Sequence, residues 1–490
     1  MPSIAIHWFR RDLRLHDNTA LALATQNCEQ VIGLFILDPT LLDNPKTCPA
    51  RVGFMYSSLA ELASSLADRG GRLIIRRGKP VEELRKVFRE TGANRLYFNR
   101  DYTTFARKRD ERVESELTKD GIEVVTCKDL VIFEKEEILN GSQAPYRIYG
   151  SYKRRWLIEV GRNLPPEQRL RTGSLKIENN DLKKLKSLDM PRIPGDFERT
   201  YFMPAGEKTG LKRLEEWAQT KTAKPKKEPD ILDYAASRDL PAQDGTSQLS
   251  VWLRFGVVSP RQCYRVALDA REQAGHKDER EGCDTWVSEF IWRDFFYQLT
   301  WNFPFVATES FQPKFRKLAW ETNNKLFKAW CEGQTGFPIV DAGMRQLNSI
   351  YWMHNRVRMI TAGFLAKDLL LDWRLGERYF WEKLVDYDQP ANNGNWQWAA
   401  STGADSQPYF QIFNPTAQGK KFDPTGDYVR RWVPELAKVP AKYIHSPEKM
   451  PAEIQKELGL VIGKDYPLPI VNHTEAQERT LQAYRAASRG

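Results

Sequence analysis

The first 130 residues alternate short apolar runs with longer amphipathic ones, and no other feature constrains the fold as strongly. The apolar runs, which predict buried strands, are IAIHWF, VIGLFIL, RLIIRR, RLYFN and EVVTC. The segments FMYSSLAELASSLADRG, VEELRKVFRETG and KRDERVESELTKDG have helical spacing and end at glycine. Strands that alternate with helices predict a parallel, doubly wound (Rossmann-like) α/β sheet with crossover helices.

The segment after the first strand is basic. It contains no G-x-G-x-x-G pattern, so the sequence gives no sign of a dinucleotide site. Instead, RRDLRLHDN places Arg10, Arg11 and Arg14 near the carboxyl end of the strand, where open α/β sheets bind ligands. A solvated basic turn accounts for the same residues equally well.

The chain changes character beyond the sheet. A segment rich in Lys, Pro and Gly separates the sheet region from long helical patterns such as TWVSEFIWRDFFYQLTWNF and DAGMRQLNSIYWMHNRVRMITAGFLAKDLL. We therefore predict an α/β domain over residues 1–135, a connector over 136–205 and a larger, all-α domain over 206–490.

Composition narrows the classes of function. Aromatic residues make up 12% of the chain and include 15 Trp, more than packing alone normally requires. Lys and Arg outnumber Asp and Glu by 74 to 64, which suits a phosphate-bearing partner but also an ordinary soluble protein. The 6 cysteines form no C-x-x-C pair, and no run of about 18 apolar residues occurs. We expect a protein of a reducing cytoplasm that binds no metal.

Two motifs suit anion and ligand binding. In DGTSQLSVWLRFG, Thr246, Ser247 and Ser250 supply hydroxyls where a helix begins, a geometry suited to a pyrophosphate. Ordinary helix capping explains them equally well. On the next helix, Glu289 and Arg293 share a face with Trp and Phe side chains, where a carboxylate is expected to be buried and to need a partner.

A third motif, WMHNRVRM, aligns Asn355, Arg358 and Met359 on one helical face and turns Arg356 elsewhere. Mixed polarity on one face of an otherwise apolar helix suits a polar cofactor better than a plain core. Arg358 also needs a carboxylate, which Asp386 or Asp388 can supply.

The fourth motif is DQPANNGNWQWAAS, in which Trp396 and Trp398 stand two positions apart. Its Asn-Asn-Gly sequence predicts a turn followed by the start of a buried helix. That interpretation does not explain why two tryptophans are needed.

These motifs together resemble the photolyase and cryptochrome flavoprotein family, and specifically its class I cyclobutane pyrimidine dimer photolyases. The resemblance covers nearly the whole chain in one register. It is carried by HWFRRDLRLHDN, GTSQLS, EFIWRDFF, TGFPIVDAGMRQL, WMHNRVRMITAGFLAKDLLLDWR, ANNGNWQWAAS and FNPTAQGKKFD.

The resemblance implies that the α/β domain holds a light-harvesting antenna and that the helical domain holds U-shaped, reduced FAD. The positions that match family FAD contacts are Tyr234, Thr246, Ser247, Gln248, Leu249, Ser250, Trp286, Glu289, Arg293, Trp352, Asn355, Arg358, Asp386, Asp388 and Asn392. It further implies that Asn392 lies beside flavin N5, that Glu289 meets the substrate bases and that Met359 belongs to the catalytic site.

The same resemblance implies two different roles for the tryptophans. Trp320, Trp373 and Trp396 match a chain of tryptophans that passes electrons inward to the flavin, because indole is easily oxidised. Trp398 and Trp292 line the pocket that receives the damaged pyrimidines. The two adjacent tryptophans of the fourth motif therefore serve different functions.

The implied activity is a light-driven carbon–carbon lyase reaction on UV-damaged DNA. The enzyme flips out the cyclobutane dimer and splits it by electron transfer from reduced FAD. Arg238, Arg356 and Lys421 match contacts to the DNA backbone, and Gln411 replaces a common family Arg. We expect a monomer that associates with the nucleoid of a prokaryote.

Specific positions separate this group from neighbouring ones. The (6-4) photolyases have histidines where this chain has Asn355 and Met359; DASH cryptochromes tend to have Tyr at Trp398, and plant cryptochromes Asp at Asn392. Two alternatives remain: a blue-light signalling cryptochrome, and a flavin-free nucleic-acid binder whose tryptophans form only a core.

The antenna is predicted from three positions. Ala106 stands where folate-binding members have Glu, whereas Arg51 and Asp101 match members that bind 8-hydroxy-5-deazaflavin. The resemblance therefore favours the deazaflavin, with 5,10-methenyltetrahydrofolate and FMN as alternatives.

Overall fold

The computed structural model describes residues 3–177, 184–192, 204–218 and 228–489. Residues 178–183 and 193–203 of the expected connector lie outside the described residues, so the connector stays a prediction.

The chain packs into two compact units. The first unit comprises residues 1–221, 247–275 and 283–304, and the second comprises residues 222–246, 276–282 and 305–490.

The first unit contains a five-stranded sheet. Its strands are β1 (Ile4–Phe9), β2 (Gln30–Leu37), β3 (Leu73–Arg77), β4 (Arg95–Asn99) and β5 (Glu123–Cys127). They are all parallel in the order β3-β2-β1-β4-β5. In register, β1 pairs Ile4 with Gln30 of β2 and Ala5 with Arg95 of β4.

The α/β prediction and all five predicted strands are confirmed. β1 and β2 are buried along almost their whole length because helices cover both faces of a parallel sheet.

The rest of the described chain is helical or irregular. The α-helices are Thr19–Asn27, Pro39–Leu42, Pro49–Ala67, Pro80–Thr91, Thr104–Lys119, Tyr149–Arg162, Glu207–Ala218, Tyr234–Ser237, Ser250–Phe255, Pro260–Gln273, Lys277–Asn302, Asn324–Glu332, Pro338–Ile350, Asn355–Gly363, Trp373–Lys383, Gln389–Ala399, Pro415–Phe422, Asp427–Trp432, Ala452–Leu458 and His473–Arg489. The 3-10 helices are Ile231–Asp233, Pro304–Ala307, Pro313–Phe315, Pro434–Leu436 and Pro447–Lys449, and Phe364–Asp368 is a π-helix. Within the described part of the chain, no helix is long and apolar enough to cross a membrane.

The alternative interpretation of the basic segment after β1, a solvated turn, is wrong. Arg14 is only 1% exposed and donates to both oxygens of the buried Asp129 carboxylate, at 2.7 and 2.8 Å. Arg10 pairs with Asp110, and Arg11 pairs with Asp101 at 3.3 Å. Because a buried guanidinium is tolerated only when it is paired, these arginines are part of the folded core at this edge of the sheet.

The long helical pattern over residues 341–370 forms more than one helix in the structure. The Pro338–Ile350 helix ends where Tyr351 adopts a left-handed φ of 59°. His354 then caps the Asn355–Gly363 helix, its side chain accepting the Arg356 N–H.

The predicted Asn-Asn-Gly turn is wrong, because residues 392–394 lie inside the Gln389–Ala399 helix. The helix begins earlier, with Asp388 at the N-cap and Pro390 in the first turn. Proline is pre-organised for the first turn of a helix, and this signal overrides the weaker turn preference of Asn-Asn-Gly. A two-residue step along a helix rotates the side chain by about 200°, so Trp396 and Trp398 face opposite sides.

Candidate functional site

In the first unit, Ser247 contacts Trp286 and Arg213. The Trp286 indole N–H donates to the Ser247 hydroxyl at 3.3 Å, and Arg213 donates to the Ser247 carbonyl at 3.0 Å. Gln248 has a left-handed φ of 55°, and Ser250 is the first residue of a short helix. Two of the predicted FAD contacts, Ser247 and Trp286, are thus in direct contact.

Trp292 lies on a half-exposed face of the Lys277–Asn302 helix with other aromatic rings. The Tyr149 ring stacks on it almost in parallel, with centroids 3.5 Å apart and planes at 6°. The Phe296 ring lies 5.5 Å from it at 28°. Glu289, one turn earlier, is half-buried. Arg293 donates to the Leu130 carbonyl and therefore belongs partly to the packing of this unit.

The two residues predicted to contact an antenna are both largely buried in the first unit. Arg51 is 8% exposed, on the helix Pro49–Ala67. The Asp101 carboxylate pairs with Arg11, and although burial opposes ionisation, Arg11 and neighbouring arginines hold the pKa of Asp101 below its ordinary value. A small cavity near the carboxyl ends of β1 and β4 is lined by Asp101 together with Arg10 and Leu130.

In the second unit, the expected partner of Arg358 is present. The Arg358 guanidinium donates to Asp386 Oδ2 at 2.8 Å and to the Met353 carbonyl at 2.7 Å, and it lies 6.0 Å from the Trp352 ring centroid. The prediction that Asp386 or Asp388 supplies the carboxylate is confirmed for Asp386. Asp388 instead occupies the N-cap of the Gln389–Ala399 helix.

The second carboxylate oxygen of Asp386 takes no part in this ion pair. Asp386 Oδ1 is buried and accepts no hydrogen bond from any described residue. Buried polar atoms are nearly always satisfied, so such an oxygen indicates a ligand or a water molecule.

Asn355 is exposed and Met359 half-buried on the helix that carries Arg358.

Asn392 lies beside a buried carboxyl group. Its amide donates to the Glu377 carbonyl at 3.3 Å, and the neighbouring Asn393 amide donates to Glu377 Oε1 at 3.3 Å. Burial raises the pKa of Glu377 to about 7. Of the two asparagines, Asn393 thus contacts the Glu377 carboxyl group and Asn392 contacts the Glu377 backbone.

The predicted DNA contacts of the second unit lie among charged and aromatic groups. Arg356 pairs with Asp239 at 2.6 Å and lies 4.5 Å from the Phe422 ring centroid. Lys421 is exposed beside the same ring, at 5.1 Å. Arg238 lies 5.4 Å from the ring of Tyr234, a predicted FAD contact.

The three tryptophans of the predicted electron chain differ in burial. Trp396 is 2% exposed, Trp373 is fully buried, and Trp320 is half-buried at the edge of the same apolar core. Among the described residues, neither the Trp373 nor the Trp396 indole N–H has a hydrogen-bond partner. Trp398 is half-buried and packs against this core.

Sequence reasoning missed two residues of the second unit, Trp330 and Glu377, and one residue of the first unit, Tyr149. The ring centroids of Trp330 and Trp396 lie 6.1 Å apart. The Trp330 indole N–H donates to the Thr361 carbonyl at 3.0 Å. Glu377, next to Asn392, stands four residues after Trp373 on the same helix, and that spacing was the available signal. Tyr149 gave no signal, because its contact with Trp292 joins segments distant in the sequence.

The residues of the second unit fit a large polar cofactor. The Arg358 guanidinium, the Asn392 amide and the Asp386 carboxylate, whose Oδ1 accepts no bond from the described residues, provide donors and acceptors in largely buried surroundings. A flavin ring, with alternating carbonyl, N–H and ring-nitrogen groups, requires this mixture of donors and acceptors.

Comparisons with known proteins match both parts of the chain. Residues 5–169 match the family model described as DNA photolyase, and residues 286–486 match the FAD binding domain of DNA photolyase. The deoxyribodipyrimidine photo-lyase of Escherichia coli is 40% identical, over 99% of this chain and 98% of that protein.

Solved structures extend the similarity. A bacterial class III photolyase from Agrobacterium tumefaciens has a TM-score of 0.89 at 37% identity, covering 100% of this chain and 98% of that one. A cryptochrome from Synechocystis has a TM-score of 0.87 at 28% identity, covering 99% of both chains. The two matched domains, the full-length similarity and the α/β sheet followed by FAD-binding helices agree, and the chain belongs to the DNA photolyase family.

Proposed function

We propose that the protein is a light-driven deoxyribodipyrimidine photo-lyase of class I, which binds UV-damaged DNA and splits cyclobutane pyrimidine dimers. The observation that carries this proposal is the 40% identity to a photo-lyase of that activity over 99% of the chain. Four residues support the assignment to cyclobutane-dimer repair over the (6-4) photolyases and the DASH and plant cryptochromes. They are Asn355, Met359, Asn392 and Trp398.

FAD is the proposed cofactor. In the second unit, Arg358, Asp386 and Asn392 would hold its flavin ring, and the buried Asp386 Oδ1 supplies an acceptor that no described residue uses. The hydroxyls of Thr246, Ser247 and Ser250 are the proposed pyrophosphate contacts. When bound and reduced, FAD supplies the light-driven electron that opens the cyclobutane ring.

The chain's own residues orient the reaction. The Asn392 amide would hydrogen-bond to flavin N5, and its hydrogen bond to the Glu377 backbone carbonyl would help to hold it in place. Glu289 is proposed to hydrogen-bond to the damaged bases, and Met359 to line the space between substrate and flavin. Because each contributes placement rather than bond making, their removal should lower the rate without abolishing cofactor binding.

The three tryptophans are proposed to keep the cofactor reduced. Trp320 is the most exposed, and Trp373 and Trp396 are almost completely buried, which suits a chain running from the surface inward. An indole without a hydrogen-bond acceptor keeps its proton when it is oxidised, so an electron can pass without a coupled proton transfer. Trp373 and Trp396 meet this condition among the described residues.

DNA is proposed to bind through stacking and phosphate contacts. Trp292 and Trp398 would stack on the flipped pyrimidines, each stacking contact being worth about 1–3 kcal/mol. Arg238, Arg356 and Lys421 would contact phosphates, which makes binding weaken as salt concentration rises. Opening a damaged base pair costs less than opening an intact one, and this favours dimers over normal DNA.

An antenna in the first unit is proposed to be 8-hydroxy-5-deazaflavin, held near Arg51 and Asp101. Both residues are largely buried. The absorption spectrum of the purified protein tests this assignment, since a band in the folate region would contradict it.

The experiment that tests the proposed function compares two lesions. Oligonucleotides that carry either a cyclobutane thymine dimer or a (6-4) photoproduct are illuminated with the flavin-loaded protein, and restored thymines are quantified. Repair of the cyclobutane dimer alone is expected.

Trp398→Ala should weaken binding of the dimer by roughly tenfold or more, the value of one lost stacking contact, and retain FAD. Loss of flavin in this variant would contradict the assignment of Trp398 to the substrate pocket.

A blue-light photoreceptor is the second candidate function, favoured by the similarity to a cryptochrome with a TM-score of 0.87. It requires the same flavin and the same tryptophans but no repair. Photoreduction of FAD without repair of either lesion would favour this candidate.

A further inference from the structure

The second unit contains a groove of about 500 Å³ that the proposed function does not use. It lies between the Pro415–Phe422 helix, the Pro447–Lys449 turn and the start of the His473–Arg489 helix. We call it the Lys420 groove. None of the residues predicted to contact FAD, antenna or DNA lines it.

The Lys420 groove is positively charged. The exposed side chains of Lys420 and Lys449 line it, and neither forms an ion pair with any described residue. Glu448 is the one acidic side chain that lines the groove within the described residues. Two unpaired ammonium groups against one carboxylate favour an anion, and lysine ammoniums are strong donors to phosphate oxygens.

A buried carboxylate orients a histidine that lines the groove. His473 Nδ1 lies 2.5 Å from Asp368 Oδ1, and the Asp368 side chain is only 1% exposed. The Asp368 carbonyl in turn accepts from Arg479 at 2.7 Å. Because a carboxylate that accepts from Nδ1 fixes the ring, Nε2 is the nitrogen left for a ligand. Asp368 ends a π-helix, an irregularity often found at functional sites.

The remaining walls of the groove are partly apolar and partly polar, the polar residues being Asn414, Thr416 and Asn472. Phe337, Ala417, Pro469 and Val471 line it beside the cationic groups. Its volume falls within the roughly 300–1,000 Å³ typical of small-molecule sites and exceeds what an inorganic anion needs. A ligand with an anionic group and a flat, weakly polar body could contact both the cationic and the apolar residues that line the groove.

We propose that the Lys420 groove binds a nucleoside monophosphate, its phosphate held by Lys420, Lys449 and His473 and its base against the apolar wall. The groove is lined by none of the proposed FAD or DNA contacts. The proposal therefore does not depend on the photo-lyase activity.

The test is calorimetric titration of the FAD-loaded full-length protein with AMP, adenosine and inorganic phosphate. AMP is expected to bind with a stoichiometry of one, inorganic phosphate at least about tenfold more weakly, and adenosine not measurably. The Lys420→Ala/Lys449→Ala variant should weaken AMP binding by at least about tenfold, the value of one charge-assisted hydrogen bond. Both side chains are exposed, so flavin content and circular dichroism should not change.

The matched control is Lys438→Ala/Lys442→Ala, which removes the same charge from exposed positions outside the groove. It should change AMP affinity by less than about twofold. Protection of Lys420 and Lys449 from amine labelling by AMP, read by mass spectrometry, would support the location. Equal loss of affinity in both double variants, absence of saturable AMP binding, or displacement of AMP by undamaged DNA would overturn the proposal.

Discussion

Arg358 donates to a carboxylate that is itself almost completely buried. The Asp386 side chain is 1% exposed and that of Arg358 24%, with 2.8 Å between Nη2 and Oδ2. Removing the arginine would leave a buried charge without a partner, whereas removing both groups would not.

We therefore expect Arg358→Leu to lower the free energy of unfolding by about 3 kcal/mol, at the lower end for buried pairs because Arg358 reaches solvent. Arg358→Leu/Asp386→Leu should recover most of this loss. Urea unfolding of flavin-free protein, followed by circular dichroism, measures both. If the single and double variants are equally unstable, the pair does not compensate the Asp386 charge.

Lys367 is a second buried charge in the second unit. It is 1% exposed, and its ammonium donates to the Gln411 carbonyl at 3.0 Å. Burial lowers the pKa of Lys367 from 10.5 to about 7. Between these values the unfolded chain holds a proton that the folded protein lacks, so stability attributable to Lys367 rises with pH.

The expected result is that the wild type gains stability relative to Lys367→Met as pH rises from about 7 to about 9, by at most about 1.4 kcal/mol per pH unit. Below the folded-state pKa of Lys367, the difference between the two proteins should be constant. Thermal unfolding across this pH range checks the slope. Lys328→Met, at an exposed position, serves as control and should show no such slope; an identical slope in both variants would contradict the assignment to Lys367.

At the scale of elements, the Trp373–Lys383 and Gln389–Ala399 helices meet at a glycine. A Cβ atom on Gly376 would lie 2.1 Å from Trp396 Cη2 and 2.7 Å from Leu365 Cδ2. The absence of a side chain at this position lets the Trp396 ring lie against the helix that carries Trp373.

Gly376→Ala should therefore destabilise the protein by about 1–3 kcal/mol through overpacking, despite the gain of up to about 1 kcal/mol in helix propensity. It should also slow photoreduction of FAD, because the Trp396 ring must move. Gly161→Ala, at the end of a helix with no atom within 4 Å of the added Cβ, is the matched control and should be neutral or stabilising. Normal stability and photoreduction in Gly376→Ala would show that the contact does not position Trp396.

Local patterns predicted the elements of the first unit better than those of the second. Each strand is a short apolar run bounded by polar residues, so the five strands could be read directly. The Gln389–Ala399 helix could not, because Asn-Asn-Gly signals a turn while the helix is fixed by the preceding cap and Pro390. The π-helix Phe364–Asp368 has no periodicity of its own, and its hydrogen bonds depend on tertiary packing.

At the scale of the whole molecule, the sequence predicted an α/β sheet followed by a helical domain, and the structure and the family comparisons agree. The Arg358–Asp386 pair could be predicted because a buried arginine needs a carboxylate. The partners of Asn392 and Trp292, namely Glu377 and Tyr149, could not, since nothing in their local sequence marks the contact. Residues of the proposed site come from distant parts of the chain, so their assignment rests on family resemblance.

The central claim is that this fold uses light to return a cyclobutane dimer to two pyrimidines. The most direct measurement incubates the flavin-loaded protein with an oligonucleotide containing one thymine dimer, in blue light and in darkness, and quantifies the restored thymines by chromatography. We predict repair over many turnovers in the light and none in the dark. Equal yields in light and darkness, or no repair by protein with fully reduced FAD, would contradict the account.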